Sequence, residues 1–230
     1  MKTVVLTHGW GFGDAVWGPL AGILAERGWQ VRLAGLPGYD ARPACPPDAW
    51  PATLGDSVPE GAVWVAWSLG GRLALQALVG SDVRPSALCL IGVGRDFVST
   101  NGAGLPPESF ATFRAGLSDP VRLLRRFASL VAHGDPRMRR VRRALADIEP
   151  PPREALAEGL DWLERTLPRP PMHGLPILLL HGRRDALVPE PAVQALEKML
   201  PGARRTTMDA GHAPHLSAPA AVADALEMLA

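Results

Sequence analysis

Short β-rich runs alternate with longer stretches of helical periodicity along this chain. That alternation is the sequence mark of βαβ units built on a parallel sheet. The runs predict strands over 3–7, 30–33, 63–66, 87–91, 177–180 and 205–208. Most are continuously apolar, as strands buried on both faces of a sheet must be. Helices are expected over 16–27, 69–79, 191–200 and 218–229, where Pro191 suits a first helical position and Gly28 stops the first helix. The fold class is therefore α/β, a mostly parallel sheet flanked by helices. A length of 230 residues favours one such domain and suffices for a core without covalent staples.

The rhythm breaks between residues 94 and 171. The pattern there is helical, jointed by prolines at Pro106–Pro107, Pro150–Pro152 and Pro168–Pro171, and no strand signal returns before Ile177. This reads as a helical lid over 94–171, inserted into a core made of 1–93 and 172–230. The same segment carries a charge asymmetry. From Arg122 to Arg143 there are eight arginines against one acid, Asp135, in a chain whose formal net charge is only +1. Such a cluster is either a solvated basic face or a surface for an anionic partner. Nucleic acid is not expected, because no recognition fold or aromatic platform accompanies it.

A membrane anchor is not expected either: no stretch approaches the roughly 20 apolar residues a bilayer span needs. The first apolar run is too short for a signal-peptide core. Cys45 and Cys89 have neither disulfide-scaffold number nor metal-ligand spacing. A cytoplasmic protein is expected.

The segment Val63 to Leu75 carries the chemistry. It is a strand, a serine between small residues, then a helix, with Ala66 and Gly70 on either side of Ser68. A tight strand-to-helix turn strains the serine backbone and lifts its hydroxyl above the sheet. The bland alternative is a serine cap on a helix. A serine hydroxyl is a weak nucleophile and needs a base and an orienting acid. Asp185 and His212 follow the next two strand signals, so Ser68, Asp185 and His212 run in the order of a hydrolase triad, at the strand edge where ligand sites assemble. His212 would take the Ser68 proton, and Asp185 would hold the ring. Among rivals, His8 is expected to shape its own loop, and His181 and His215 sit near the acid and base in the wrong context. His133 and His173 belong to the insertion or its edge, while Asp209 is too near His212 in the chain. The amides of Trp10 and Leu69 could serve as oxyanion donors, the first on a Gly-flanked loop and the second at a helix start. No metal or organic cofactor is needed.

His8-Gly9-Trp10-Gly11, Leu36-Pro37-Gly38-Tyr39, Trp67-Ser68-Leu69-Gly70-Gly71, Asp185-Ala186-Leu187-Val188-Pro189 and Gly211-His212-Ala213-Pro214 resemble the α/β-hydrolase superfamily. Within it they most resemble the pimeloyl-acyl-carrier-protein methyl ester carboxylesterases of biotin biosynthesis. The likeness runs over nearly the whole chain, with Gly116-Leu117-Ser118-Asp119 and Arg126-Phe127 fitting in the lid. It implies a serine carboxylesterase with substrate contacts from Trp10, Ser68, Leu69, His212 and the stretch Phe127 to Val131. It also implies that Arg122, Arg126, Arg139 and Arg143 hold an acidic acyl carrier protein. Each of those pairs is four residues apart and shares a helix face, and forked guanidiniums suit carboxylate and phosphate partners. Trp67, Phe110, Phe113 and Phe127 are candidate pocket walls. Two departures, a start directly at the strand before His8 and a Pro-punctuated 46–59, suggest a trimmed sheet edge. A monomer is expected. The alternatives are a broad-range small-ester or lactone hydrolase, a perhydrolase using the same triad, or a non-catalytic ligand-binding protein on this fold.

Overall fold

The computed structural model describes residues 2–146, 148–170 and 174–229. Six strands, β1 (Thr3–Thr7), β2 (Gln30–Leu33), β3 (Val63–Trp67), β4 (Ala87–Ile91), β5 (Ile177–Gly182) and β6 (Arg204–Met208), form one sheet in the order β2-β1-β3-β4-β5-β6. Every pairing is parallel. β3, β4 and β5 are buried along their whole length, which is why they read as unbroken apolar runs. β2 and β6 are the edges and are largely exposed. The strand order reverses between β1 and β3. The loops leaving those two strands therefore open a crevice at their C-terminal ends, the usual ligand position in such sheets.

The expected first helix is divided. Asp14–Trp17 is a 3₁₀ turn and α1 runs Gly18–Glu26, with Pro19 in its first turn where no N–H is missed. α2 (Trp50–Asp56) is the short helix of the Pro-punctuated stretch, and α3 (Leu69–Gly80) follows β3 directly. Between β4 and β5 the described residues form four α-helices: α4 (Pro107–Ala115), α5 (Pro120–Val131), α6 (Met138–Ala146) and α7 (Arg153–Glu164). α8 (Glu190–Met199), α9 (Pro214–Ser217) and α10 (Pro219–Glu227) complete the chain.

The four-helix segment folds on its own chemistry. α5 opens with Asp119, whose carboxylate accepts the Arg122 amide at 3.1 Å, and Pro120 occupies the first turn. Its apolar face, Leu123, Leu124, Phe127 and Val131, is buried, while Arg122, Arg125 and Arg126 are exposed. α6 buries Val141 and Leu145 and exposes Arg139, Arg140, Arg142 and Arg143.

Both roots of the segment meet one side chain. Arg72 on α3 is buried and donates to the carbonyls of Gly94 and Arg95, just after β4, at 3.3 and 2.8 Å, and to the carbonyl of Arg165, just after α7. Burial lowers its pKa to about 10, with Asp96 opposing. Arg165 in turn stacks 3.8 Å over Trp162 and pairs with Asp48 at 2.8 Å. Among the described residues no helix is long and apolar enough to cross a membrane.

Candidate active site

One residue separates the end of β3 from the start of α3, so Ser68 alone must turn the chain. It does so at φ +53°, ψ −117°, a left-handed conformation that costs a non-glycine residue on the order of 1–3 kcal/mol. The turn is held from both sides. Its N–H donates to Ile91 at 2.9 Å, and its carbonyl accepts from Gly71 and Arg72 at 3.0 and 3.2 Å. α3 lies so close to the loop after β1 that a Cβ at position 70 would collide with the His8 carbonyl; only glycine fits there. Ala66, paired opposite Thr7 and Leu90, is fully buried on the strand side.

Asp185 lies in the loop after β5 and His212 in the loop after β6. His212 Nδ1 and Asp185 Oδ2 are 2.8 Å apart, both side chains essentially inaccessible. Asp185 Oδ1 accepts the amides of Leu187 and Val188 at 2.8 and 2.9 Å, which fixes the carboxylate plane. Burial alone would push this carboxyl upward, but the charge and hydrogen bond of His212, helped by the Val188 amide, hold it below the usual carboxylate range. The His212 ring rests on Gly92, the residue after the one that accepts the Ser68 amide, so ring and serine share one wall. The loop is fixed from beneath by Trp67, whose Nε1 donates to the His212 carbonyl at 2.9 Å. His212 Nε2 is buried and, among the described residues, has no hydrogen-bond partner. A ring clamped through Nδ1 with Nε2 free is disposed to receive a proton from a neighbouring hydroxyl.

The rival residues separate by contact. His8 bonds the Gly9 carbonyl through Nδ1 at 2.9 Å, and its Nε2 accepts the Leu36 amide at 3.1 Å, which assigns the ring proton to Nδ1. Burial keeps it below its ordinary pKa. It shapes its loop, as expected. His181 Nδ1 stands 3.8 Å from Asp185 Oδ2, the same oxygen that His212 approaches to 2.8 Å, and burial lowers its pKa as well. His215 is wedged between Trp17 and Trp67 with neither nitrogen bonded, and burial, then His212, pushes it down to about 3. Asp209 is exposed and pairs with Arg184 at 3.0 Å. His133 is exposed, and His173 lies outside the described residues.

Above this edge lies an aromatic cluster. Trp10 meets Phe127 edge-on at 5.0 Å and Phe113 at 5.2 Å, and Phe12 stacks between Trp67 and Phe127. Trp10 is fully buried because Nε1 donates to the Leu156 carbonyl on α7 at 2.8 Å. Leu69, also fully buried, packs toward Gly159 of α7; as the first residue of α3 its amide has no intrahelical acceptor. An apolar cavity of about 200 Å³ is walled by Phe97, Phe113, Phe127, Leu130 and Leu187, with Arg126 at its wall. Leu187 joins it to the acid, since the Leu187 amide holds Asp185. Trp67 and Phe110, expected as walls, and Val131, expected as a substrate contact, do not line this cavity. Phe110 packs edge-on against Phe97 behind the cavity. Val131, at the buried end of α5, has its carbonyl close to Gly211.

The arginines divide by face. Arg122 and Arg126 line a cleft of about 250 Å³ beside Phe113 and Ser118. Arg125 and Arg142, which the resemblance leaves aside, face each other across a groove of about 460 Å³ between α5 and α6. Arg139 and Arg143 lie exposed on α6, lining neither. None of the eight guanidiniums forms an ion pair with a carboxylate among the described residues. The Arg72 anchor and the Asp135–Gly211 bond escape sequence reasoning: their partners stand 22 to 93 positions away, and the one visible signal was a single acid in a basic run.

Residues 4–225 match the model of the alpha/beta hydrolase family. The chain is 39% identical to a pimeloyl-[acyl-carrier protein] methyl ester esterase of Aromatoleum aromaticum, covering 94% of this chain and 93% of that one. It is 35% identical to the protein of the same name from Klebsiella pneumoniae, over 97% and 91%. Among solved structures, an esterase from Exiguobacterium antarcticum superposes with a TM-score of 0.83 at 19% identity, covering 99% of this chain and 91% of that one. A bromoperoxidase from Bacillus anthracis superposes at 0.82 with 18% identity, over 99% and 91%. These two speak to the fold alone. The strained serine turn, the acid and base on successive loops and the full-length likeness lead to one assignment: the chain belongs to the alpha/beta hydrolase family.

Proposed function

We propose that this chain is a serine carboxylesterase that hydrolyses the methyl ester of a pimeloyl group carried on an acyl carrier protein, a step of biotin synthesis. The observation that carries the chemistry is the His212 ring, clamped to Asp185 through Nδ1 with Nε2 unpartnered, sharing a wall with a serine held at positive φ. Ser68 Oγ attacks the ester carbonyl while His212 Nε2 takes its proton. The amides of Trp10 and Leu69 receive the oxyanion, a contribution worth several kcal/mol in a dry site. The carbonyl re-forms, the C–O bond to the alcohol breaks, and methanol leaves with the proton from His212. Water then attacks the acyl-enzyme, giving up its proton to the same nitrogen, and Ser68 departs as the free hydroxyl. Asp185 stays ionised throughout and stabilises the imidazolium.

The same reading makes 94–171 a lid on a core of 1–93 and 172–230. The apolar cavity beside Leu187 takes the methylene chain, with Phe127 from the resemblance and Phe113 and Leu130 from the cavity wall. The relatives named above are esterases of acyl-carrier-protein substrates by name. Acyl carrier proteins are acidic, and guanidiniums without internal carboxylate partners suit such a partner. Arg122, Arg126, Arg139 and Arg143 would hold it, in the cytoplasm. The test is Ser68→Ala. Hydrolysis of a p-nitrophenyl ester and of the carrier-linked methyl ester should both fall at least 10⁴-fold, and a fluorophosphonate probe should no longer label the protein. Full esterase activity in that variant would refute the assignment. Failure of the wild type to support growth of a biotin-requiring strain lacking this esterase would refute the substrate.

A further inference from the structure

One buried carboxylate outside this machinery reaches into it. Asp135 sits in the connection between α5 and α6 and is almost wholly shielded, 5% exposed, although it is the one acid amid eight arginines. Its Oδ2 accepts the amide of Gly211, the residue before His212, at 2.7 Å. Its Oδ1 accepts the amide of Arg137 at 2.7 Å, one residue before α6 begins. A carboxylate with each oxygen on a backbone N–H makes charge-assisted bonds of the stronger kind. The fit around Gly211 is close: a Cβ there would stand 3.2 Å from the Asp135 Cβ and from the His133 carbonyl, and 3.3 Å from that of Val131. On the far side, the Gly211 carbonyl lies so near Gly182 at the end of β5 that no side chain fits there. The residue before the base is thus gripped between the sheet and the α5–α6 connection, and Asp135 supplies a polar bond to that grip on the α5–α6 side.

We infer that Asp135 is a positioning residue for the reaction: through the Gly211 amide it fixes the turn that presents His212 to Ser68. The inference rests on the reading of His212 as the base. Without the carboxylate, the Gly211 N–H is left buried and unbonded, and the turn relaxes until it finds another acceptor. His212 then spends part of its time misaligned, which lowers the rate of the chemical step and leaves substrate binding untouched. The same carboxylate joins this turn to the start of α6, so helix and base move as one unit.

The test compares Asp135→Ala and Asp135→Asn with wild type and with His212→Gln, using a p-nitrophenyl ester and a fluorophosphonate probe. Asp135→Ala should lower kcat about 30-fold with KM within twofold, and slow phosphonylation of Ser68 by a similar factor. Labelling should nevertheless run to one probe per chain, which a population of misfolded protein could not reach. Asp135→Asn, which keeps one acceptor oxygen, should recover part of the loss. The inference is overturned if Asp135→Ala keeps kcat within twofold while folded. It is equally overturned if labelling stops short of one per chain in proportion to kcat, since the loss is then merely structural. Should His212→Gln remain fully active, the base assignment itself fails and takes the positioning role with it; a wild-type-like Asp135→Ala beside an inactive His212→Gln sinks the positioning role alone.

Discussion

The loops at the ends of β3, β5 and β6 and the surface of α5 and α6 solve opposite electrostatic problems. At the strand ends the carboxylate and the imidazole are out of water, Asp185 is held by short bonds from His212 and two backbone amides, and the Asp185–His212 pair is compensated within itself. Along α5, α6 and the connection between them, eight cations stand around a single buried acid whose oxygens are already committed to backbone amides. The first region balances its charge internally; in the second, none of the guanidiniums is paired with a carboxylate among the described residues. On the proposed function, reaction and recognition are separated, the first served by preorganised dipoles, the second by long-range attraction.

The sharpest break in that comparison comes from Asp185→Asn. The buried ring loses the partner that orients it, and kcat should fall about 10⁴-fold with either substrate, read by steady-state kinetics. If the loss is confined to the carrier-linked ester, the two regions are not separate. A second variant probes the other side. Arg139→Glu with Arg143→Glu, chosen because this pair lines neither of the two arginine-bearing clefts described above, should lower kcat/KM on the carrier-linked ester about 10- to 100-fold and spare the p-nitrophenyl ester. The difference should shrink as salt is raised, because exposed charges are screened within about 10 Å at 0.1 M. Equal effects on both substrates would remove the carrier from the account.

Two smaller effects sharpen the contrast in stability. His215, neutral between two tryptophans, has a folded pKa of about 3 against an ordinary value of 6.5. The unfolded chain therefore binds the extra proton between those values. Stability present above pH 6.5 is lost as pH falls toward 3, by up to about tenfold in the folding equilibrium per pH unit. His215→Phe should flatten that part of the pH–stability curve, measured by urea unfolding; an unchanged slope would contradict it. Smallest is Trp10→Phe, which gives up the bond to Leu156 and should cost about 1 kcal/mol of stability, visible as a lowered Tm with only modest change in kcat. A drop in kcat beyond tenfold would mean that the Trp10 side chain also orders the oxyanion loop.

The α/β core was legible in sequence for a physical reason. Strands buried on both faces, such as Val63–Trp67, must be apolar throughout, and the turn at Ser68 tolerates only small neighbours, so local patterns carry the information. Edge strands told less: β6 starts a residue earlier than expected, because Arg204 and its neighbours are half in water and nothing forces an apolar boundary. The individual helices of 94–171 were not resolvable, since amphipathic spacing there is interrupted by proline joints. Least legible were contacts between distant segments. Asp135 bonds a residue 76 positions away, and Trp10 one 146 positions away, and no spacing rule reaches that far.

Arg72 bears on how such an enzyme admits its substrate. A flap that swings needs free roots, yet here both roots share one buried guanidinium on the helix that follows Ser68. Lifting either root would surrender a charged hydrogen bond worth about 1.5–3 kcal/mol inside the protein. An opening of α4 to α6 that keeps those bonds must therefore be one of fingers on a fixed palm, spreading at the tips while the base stays pinned.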